Sequence, residues 1–422
     1  MRVGVISLGC AKNLVDTEVL LGRLKSGGAQ LVSDPKKADV IIINTCGFID
    51  PAKQEAIETI LDFAGNKKLI VMGCLVQRYK EELQKEIPEV YAYFGTESWD
   101  EVLESIGLKA QGKAKRVLTT PKSYAYLKIA EGCNRLCSFC AIPLIRGRHR
   151  SKPVEEILEE ARQIAEEGVK ELCIVSQDTT YYGRDLYHKS YLIELLRELE
   201  KIEGIEWIRL LYLYPTEVEE DLLKYIGDSE KVLPYLDIPL QHISTQVLKS
   251  MRRGYDETYV RRLLEKIYKI LPEAVLRSTF IVGYPEEKEE DFEKLKEFIL
   301  EGHFHWVGVF AYSQEEDTYA YSLGDPIPQE EKERRKEELL SLQKGITEKK
   351  NQNMLGKEFD LIVDGFDEEF GYVPVGRIYA QAPEVDGITY TETERNLKPG
   401  DMIRVRINQV GGYDLGCTDI TP

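Results

Sequence analysis

The stretch Glu131-Gly-Cys-Asn-Arg-Leu-Cys-Ser-Phe-Cys-Ala-Ile-Pro143 sets Cys133, Cys137 and Cys140 in the spacing C-x3-C-x2-C. Soft thiolate ligands favour zinc or an iron–sulfur cluster. A structural zinc site normally closes its tetrahedron with a fourth Cys or His at a recognisable spacing, and no neighbour obviously supplies one. The nearest candidate, His149, stands in the basic run Arg146-Gly-Arg-His-Arg150, where cations disfavour another positive centre. A cubane held by three cysteines leaves one iron open to a substrate or cofactor and is the more economical reading; structural zinc is the alternative.

Working outward, an apolar strand over 124–130 leads straight into this triplet, which therefore falls on the loop after a first strand. Apolar strand patterns then alternate with amphipathic helices as far as a long charged helix over 329–350. Six βα units are too few for an eight-fold barrel and suit an open partial TIM-type barrel, with its working face at the carboxyl ends of the strands. Upstream, strands over 3–8, 40–44 and 69–72 alternate with helices over 13–25 and 51–63, the pattern of a parallel α/β unit. Cys10, Cys46 and Cys74 each follow one of those strands directly. Ligands of such sheets bind beside the carboxyl edge, so these cysteines are expected to converge. The bland alternative is three buried structural thiols.

Residues 351–422 read as short β segments over 359–363, 371–375, 378–381, 401–410 and 413–418, a small all-β module of OB-like size. The expected division is 1–107, a linker 108–121 around Lys109-Ala-Gln-Gly-Lys-Ala-Lys-Arg116, a barrel 122–350 and the β module 351–422. The chain carries 56 Lys and Arg against 73 Asp and Glu, net −17, and the β module holds six basic against thirteen acidic residues. Such a balance opposes wholesale nucleic-acid binding and favours a basic partner. With no signal-peptide pattern and no apolar run of membrane-spanning length, a cytoplasmic chain is expected. Eight cysteines in that compartment serve as ligands or buried thiols, and Cys173 and Cys417 read as core thiols.

Taken together, the three segments resemble the radical S-adenosylmethionine (SAM) methylthiotransferase family along nearly the whole chain. Ser7-Leu-Gly-Cys-Ala-Lys-Asn-Leu-Val-Asp16 is similar to the branch that modifies a ribosomal protein rather than the branch that modifies tRNA, with Ala11 where Pro is more usual. Glu131–Cys140, with Phe139 before the last cysteine, fits the same family, as do Arg146–Ser151, Ile238-Pro-Leu-Gln-His242 and Tyr312-Ser-Gln-Glu-Glu316. Pro285-Glu-Glu-Lys288 and Asp317 depart from it.

The resemblance implies an N-terminal methylthiotransferase domain, a radical SAM barrel and a C-terminal TRAM module. It assigns Cys133, Cys137 and Cys140 to a [4Fe-4S] cluster whose open iron binds SAM, and Cys10, Cys46 and Cys74 to a second, auxiliary [4Fe-4S] cluster that carries sulfur. Reductive cleavage of SAM would give a 5′-deoxyadenosyl radical, needed because the β-carbon of an aspartate bears C–H bonds beyond the reach of a side-chain base. The implied substrate is an aspartate of ribosomal protein S-twelve of the small subunit, with an electron donor and a sulfur source as further partners. Polar residues at strand ends are the candidates for holding SAM: Ser176, Gln177, Arg209, Gln241 and Arg277, the last pairing with the methionine carboxylate, while Phe139 packs beside adenine. Each of these residues has an ordinary alternative as a turn, cap or anchoring group. The rival readings are methylthiolation of a tRNA adenosine and a non-enzymatic iron–sulfur scaffold or electron carrier.

Overall fold

A computed structural model describes residues 1–65, 67–112, 114–369 and 371–422; Lys113 of the connector lies outside the described residues. The N-terminal unit is a parallel sheet of β1 (Arg2–Ser7), β2 (Gln30–Leu31), β3 (Val40–Thr45), β4 (Lys68–Gly73) and β5 (Ala92–Phe94), in the order β2-β1-β3-β4-β5. Its helices are α1 (Ala11–Ser26), α2 (Asp50–Phe63), α3 (Cys74–Glu86) and α4 (Trp99–Ser105). The centre strand β3, Val-Ile-Ile-Ile-Asn-Thr, is buried at every position, as expected of a strand with helices on both faces. Ile41 and Ile43 join the core on one side of the sheet and Val40 and Ile42 that on the other. This strand order reverses between β1 and β3, the point at which doubly wound sheets open a crevice.

Six parallel strands follow: β6 (Tyr124–Lys128), β9 (Glu171–Val175), β10 (Trp207–Leu210), β11 (Val232–Asp237), β12 (Val275–Val282) and β13 (Trp306–Ala311), neighbours in chain order. A two-stranded antiparallel pair, β7 (Ala130–Glu131) and β8 (Arg150–Ser151), brackets the cysteine loop and α5 (Ile142–Arg146). No pairing joins β6 to β13 among the described residues, so the barrel is open. Leu127, Leu172, Ile174, Ile208, Leu236 and Leu276 turn outward to the helices, while Tyr126, Cys173, Val175 and Tyr235 turn into the lumen. That alternation follows from the two-residue period of a strand.

The C-terminal module is a closed barrel of β14 (Glu358–Asp367), β15 (Val373–Ile378), β16 (Thr389–Glu392), β17 (Met402–Gly411) and β18 (Asp414–Asp419). The strand expected over 378–381 is not formed. Ile378 ends β15, and the fifth strand is β16. Tyr379–Asp386 is instead a loop seated under the open six-stranded barrel: Trp306 Nε1 donates to Ala380 O (2.6 Å), Tyr126 Oη to Glu384 (2.7 Å) and Tyr235 Oη to Asp386 (2.6 Å). Glu171, fully buried at the start of β9, accepts from Arg209 (2.6 Å) and from Arg377 of β15 (2.6 Å). At the other end, Val15 of α1 shares a buried cluster with Leu211 and Tyr126 and α1 lies against β6, so α1 covers the mouth.

Candidate functional site

Each N-terminal cysteine stands where a strand meets the next element. Cys10 is the N-cap of α1, Cys46 follows β3, and Cys74 opens α3. Two glycines force these turns together. Gly9 has φ +89°, and a Cβ there would lie 2.5 Å from Cys46 Cβ; Gly73 has φ +103° and would meet Asn44 Oδ1 at 2.4 Å. Burial pushes the Cys74 thiol up to about 12, and the nearby Cys46 and Cys10 add to the rise, while Arg146 opposes it. The Cys46 thiol is raised for the same first reason, with Cys10 again contributing. A Cβ on Gly9, the residue before Cys10, would lie 2.9 Å from Cys46 Sγ, so the first two turns meet at their cysteines.

The second triplet lies on the loop between β7 and α5. Gly132, at φ +76°, lets that loop cross beneath Arg148, whose carbonyl a Cβ would meet at 2.2 Å. The Cys133 amide donates to Gly147 O (3.1 Å), the Ser138 amide to Met251 O (3.0 Å) and the Ala320 amide to Ser138 O (2.7 Å). Cys133 is raised to about 11 by burial, with Asp178 and Cys137 adding to it. Cys74 packs with Ala141 and Ile145, directly after Cys140, so the two sulfur sites adjoin across the domain junction. Among the described residues no group of three or more His, Cys, Asp and Glu side chains is arranged to hold a single metal ion. His149 Nε2 lies 3.1 Å from Ser151 Oγ, and its Nδ1 is buried without a hydrogen-bond partner among the described residues.

Between the triplets runs a buried polar network that the sequence patterns hid. Arg146 donates to Cys74 Sγ (3.2 Å), Asp16 (2.6 Å), Glu131 (3.1 Å) and Asn13 Oδ1 (3.2 Å). Lys128 donates to Glu131 (2.6 Å) and to Asp16. Burial alone would raise Glu131, but Lys128 and Arg146 outweigh it and hold the carboxyl at about 2. Two cations thus face two carboxylates, the arrangement that makes buried charge tolerable. Arg253 donates to Cys137 Sγ (3.1 Å) and to Pro239 O (2.7 Å). Lys12, only 9% exposed, places its ammonium 3.4 Å from the ring centre of Tyr212 and makes no ion pair among the described residues. Burial would lower its pKa; Tyr212, Cys10 and Asp237 more than offset this, so it carries its charge.

The candidate SAM contacts divide. Gln177 donates to Glu131 (2.7 Å) and Gln241 sits in the left-handed region at φ +74°; the side-chain oxygen of each is buried without a hydrogen-bond partner. Open acceptors at two strand ends beside the cysteine loop fit an amine-bearing cofactor. Ser176 is buried against Thr179 Oγ1 (3.5 Å). Phe139 packs with Val247, Met251 and Tyr284, as an anchor of the cysteine loop. Arg209 and Arg277 are held by acceptors of the chain itself. Arg209, third of the four residues of β10, pairs with Glu171 and donates to Tyr379 O (2.7 Å), leaving its Nη2 without a partner among the described residues, and Arg277, third of the eight residues of β12, pairs with Asp237 (3.2 Å) and Asp386 (3.5 Å).

Three families match consecutive parts of the chain: Uncharacterized protein family UPF0004 over residues 2–95, the Radical SAM superfamily over 127–299, and the TRAM domain over 355–419. A protein of Aquifex aeolicus (strain VF5) named "Ribosomal protein uS12 methylthiotransferase RimO" is 66% identical over 420 residues, covering 99% of this chain and 97% of that one. A Sulfurihydrogenibium sp. protein of the same name is 53% identical, covering 98% of each. Among solved structures, the radical SAM methyltransferase TsrM of Kitasatospora setae, with cobalamin and a [4Fe-4S] cluster bound, superposes with a TM-score of 0.54 at 12% identity, covering 76% of each chain. The cobalamin-dependent SAM radical enzyme OxsB superposes at 0.52 and 14%, covering 82% of this chain and 56% of that one. At such identities the likeness is one of fold.

Proposed function

Because the chain belongs to the RimO family of radical SAM methylthiotransferases, we propose that it exchanges a β-hydrogen of an aspartate in ribosomal protein uS12 (S-twelve) for a methylthio group, using SAM and two [4Fe-4S] clusters. The observation that carries the reading is the meeting of two three-cysteine sites across one domain junction, Cys74 against Ala141 and Ile145 beside Cys140. When bound, the clusters and SAM supply the hydrogen-abstracting radical and the methylthio group. This chain's residues bind, orient and exclude water.

Cys133, Cys137 and Cys140 hold the cluster that binds SAM, and Cys10, Cys46 and Cys74 the auxiliary one. Gln177 and Gln241 offer acceptors to SAM. Lys12 stands two residues after Cys10 in the chain and above Tyr212 at the barrel mouth. It supplies the cation that the target carboxylate needs once stripped of water. The N-terminal half of α1 roofs the lumen and keeps solvent from the reacting atoms. Among the described residues no helix is long and apolar enough to cross a membrane, in keeping with a chain working beside ribosomes in the cytoplasm.

Anaerobic incubation with SAM, a reductant and either uS12 or tRNA, followed by mass spectrometry, tests the reading. The expected result is one methylthio group on an aspartate of uS12. Modification of tRNA alone would overturn it in favour of the tRNA-modifying activity. SAM cleavage by the reduced protein excludes a passive electron carrier.

A further inference from the structure

Each cysteine triplet receives one buried guanidinium: Arg146 on Cys74 and Arg253 on Cys137. The two differ in origin. Arg253 follows the helix Thr245–Ser250 of the same barrel that carries Cys137, whereas Arg146 ends α5 of the barrel and reaches Cys74 in the other domain. Asp16 of the N-terminal domain and Glu131 of the barrel fix Arg146 from both sides, and Glu131 lies two residues before Cys133. The chain of contacts from Cys74 through Arg146 and Glu131 thus joins the ligands of both sites.

We infer that Arg146 is a positioning residue that sets the reduction potential of the auxiliary cluster from across the domain junction, while Arg253 does the same for the SAM-binding cluster. The inference rests on the two-cluster reading above. Reduction adds negative charge to an iron–sulfur cluster, and hydrogen bonds to its thiolates, like a nearby cation, stabilise the reduced form. In a dry junction such a charge acts with little screening.

The test is an EPR-monitored redox titration of the full chain after anaerobic reconstitution. Replacing Cys133, Cys137 and Cys140 by Ala isolates the auxiliary cluster, and replacing Cys10, Cys46 and Cys74 isolates the other. Arg146→Met is expected to shift the auxiliary midpoint to more negative potential and leave the SAM-binding cluster unmoved; Arg253→Met is expected to do the reverse. Arg146→Lys, which keeps the charge but loses the planar fork, should shift the auxiliary midpoint in the same direction by less. Should Arg146→Met fail to fold, Arg146→Lys measured against the wild type carries the test alone. An unmoved auxiliary midpoint, or equal movement of both clusters, overturns the inference. Wild-type iron content sufficient for one cluster alone would overturn the two-cluster reading itself, and is read before any titration.

Discussion

A buried ammonium without an ion-pair partner is costly, which makes Lys12 the residue whose removal says most about substrate binding. Lys12→Met is expected to lower kcat/KM for uS12 by at least about thirtyfold, the effect of removing a charge worth about 2 kcal/mol. Iron content should stay at the wild-type level. Equal turnover by Lys12→Met and wild type would show that the carboxylate is held elsewhere. A second residue reports on acid stability. His305 Nε2 pairs with Asn351 Oδ1 (2.8 Å), and burial, partly opposed by that bond, lowers its pKa to about 4. The folded state therefore binds its proton later than the unfolded state does, so the neutral form's contribution is complete above about pH 6.5 and is lost as pH falls toward 4. Urea unfolding should show a loss of about 3 kcal/mol across that window, flattened in His305→Asn. An unchanged slope in the variant would contradict it.

At the scale of the element, the turns that follow β1 and β4 decide whether three sulfurs meet. Gly9→Ala would add a Cβ at 2.5 Å from Cys46 Cβ and force a left-handed backbone on a side chain, costing on the order of 1–3 kcal/mol in backbone strain alone. It is expected to remove the auxiliary cluster while sparing the other, read as iron content halved with SAM still cleaved. Full iron loading of Gly9→Ala would contradict this. Much of this layer was legible in the sequence, because apolar runs such as Val40–Ile43 and the glycines beside the cysteines report their own environment. The partial barrel was legible through its alternation. The ion pairs of Arg209 and Arg277 were not: a strand pattern says which face a residue takes but not what it pairs with, and their carboxylate partners Glu171, Asp237 and Asp386 are 38, 40 and 109 residues away in sequence. Arg146 was visible only as part of a basic run, since nothing local marks Asp16 or Cys74 as its partners. The β16 strand was missed because Tyr379–Gln381, apolar and extended in composition, docks as a loop while Thr389–Glu392 closes the small barrel.

Across the whole molecule, the partial barrel is closed at both ends by other domains. Helix α1 covers the mouth, and the loop Tyr379–Asp386 covers the floor. The acidic C-terminal module therefore sits at the end remote from the two cysteine triplets, so its charge acts on a basic substrate through the field of the molecule rather than by lining the crevice. Its attachment depends on Glu171 between Arg209 and Arg377. Glu171→Ala leaves two buried guanidinium groups without their shared carboxylate and is expected to cost about 3–5 kcal/mol, measured by denaturant unfolding; a change below about 1 kcal/mol would contradict that role. Lys53 and Arg78 of the N-terminal domain meet Glu315 after β13 at 3.0 and 2.5 Å, a second strap across the mouth.

The central claim is that two incompletely ligated clusters face one another where the N-terminal domain meets the barrel. Iron and acid-labile sulfide, determined after anaerobic reconstitution of the wild type and of the two cysteine-triplet variants, test it most directly. The expected result is two cubanes in the wild type and one in each variant. A wild type that holds a single cluster, or zinc at either triplet, would contradict it.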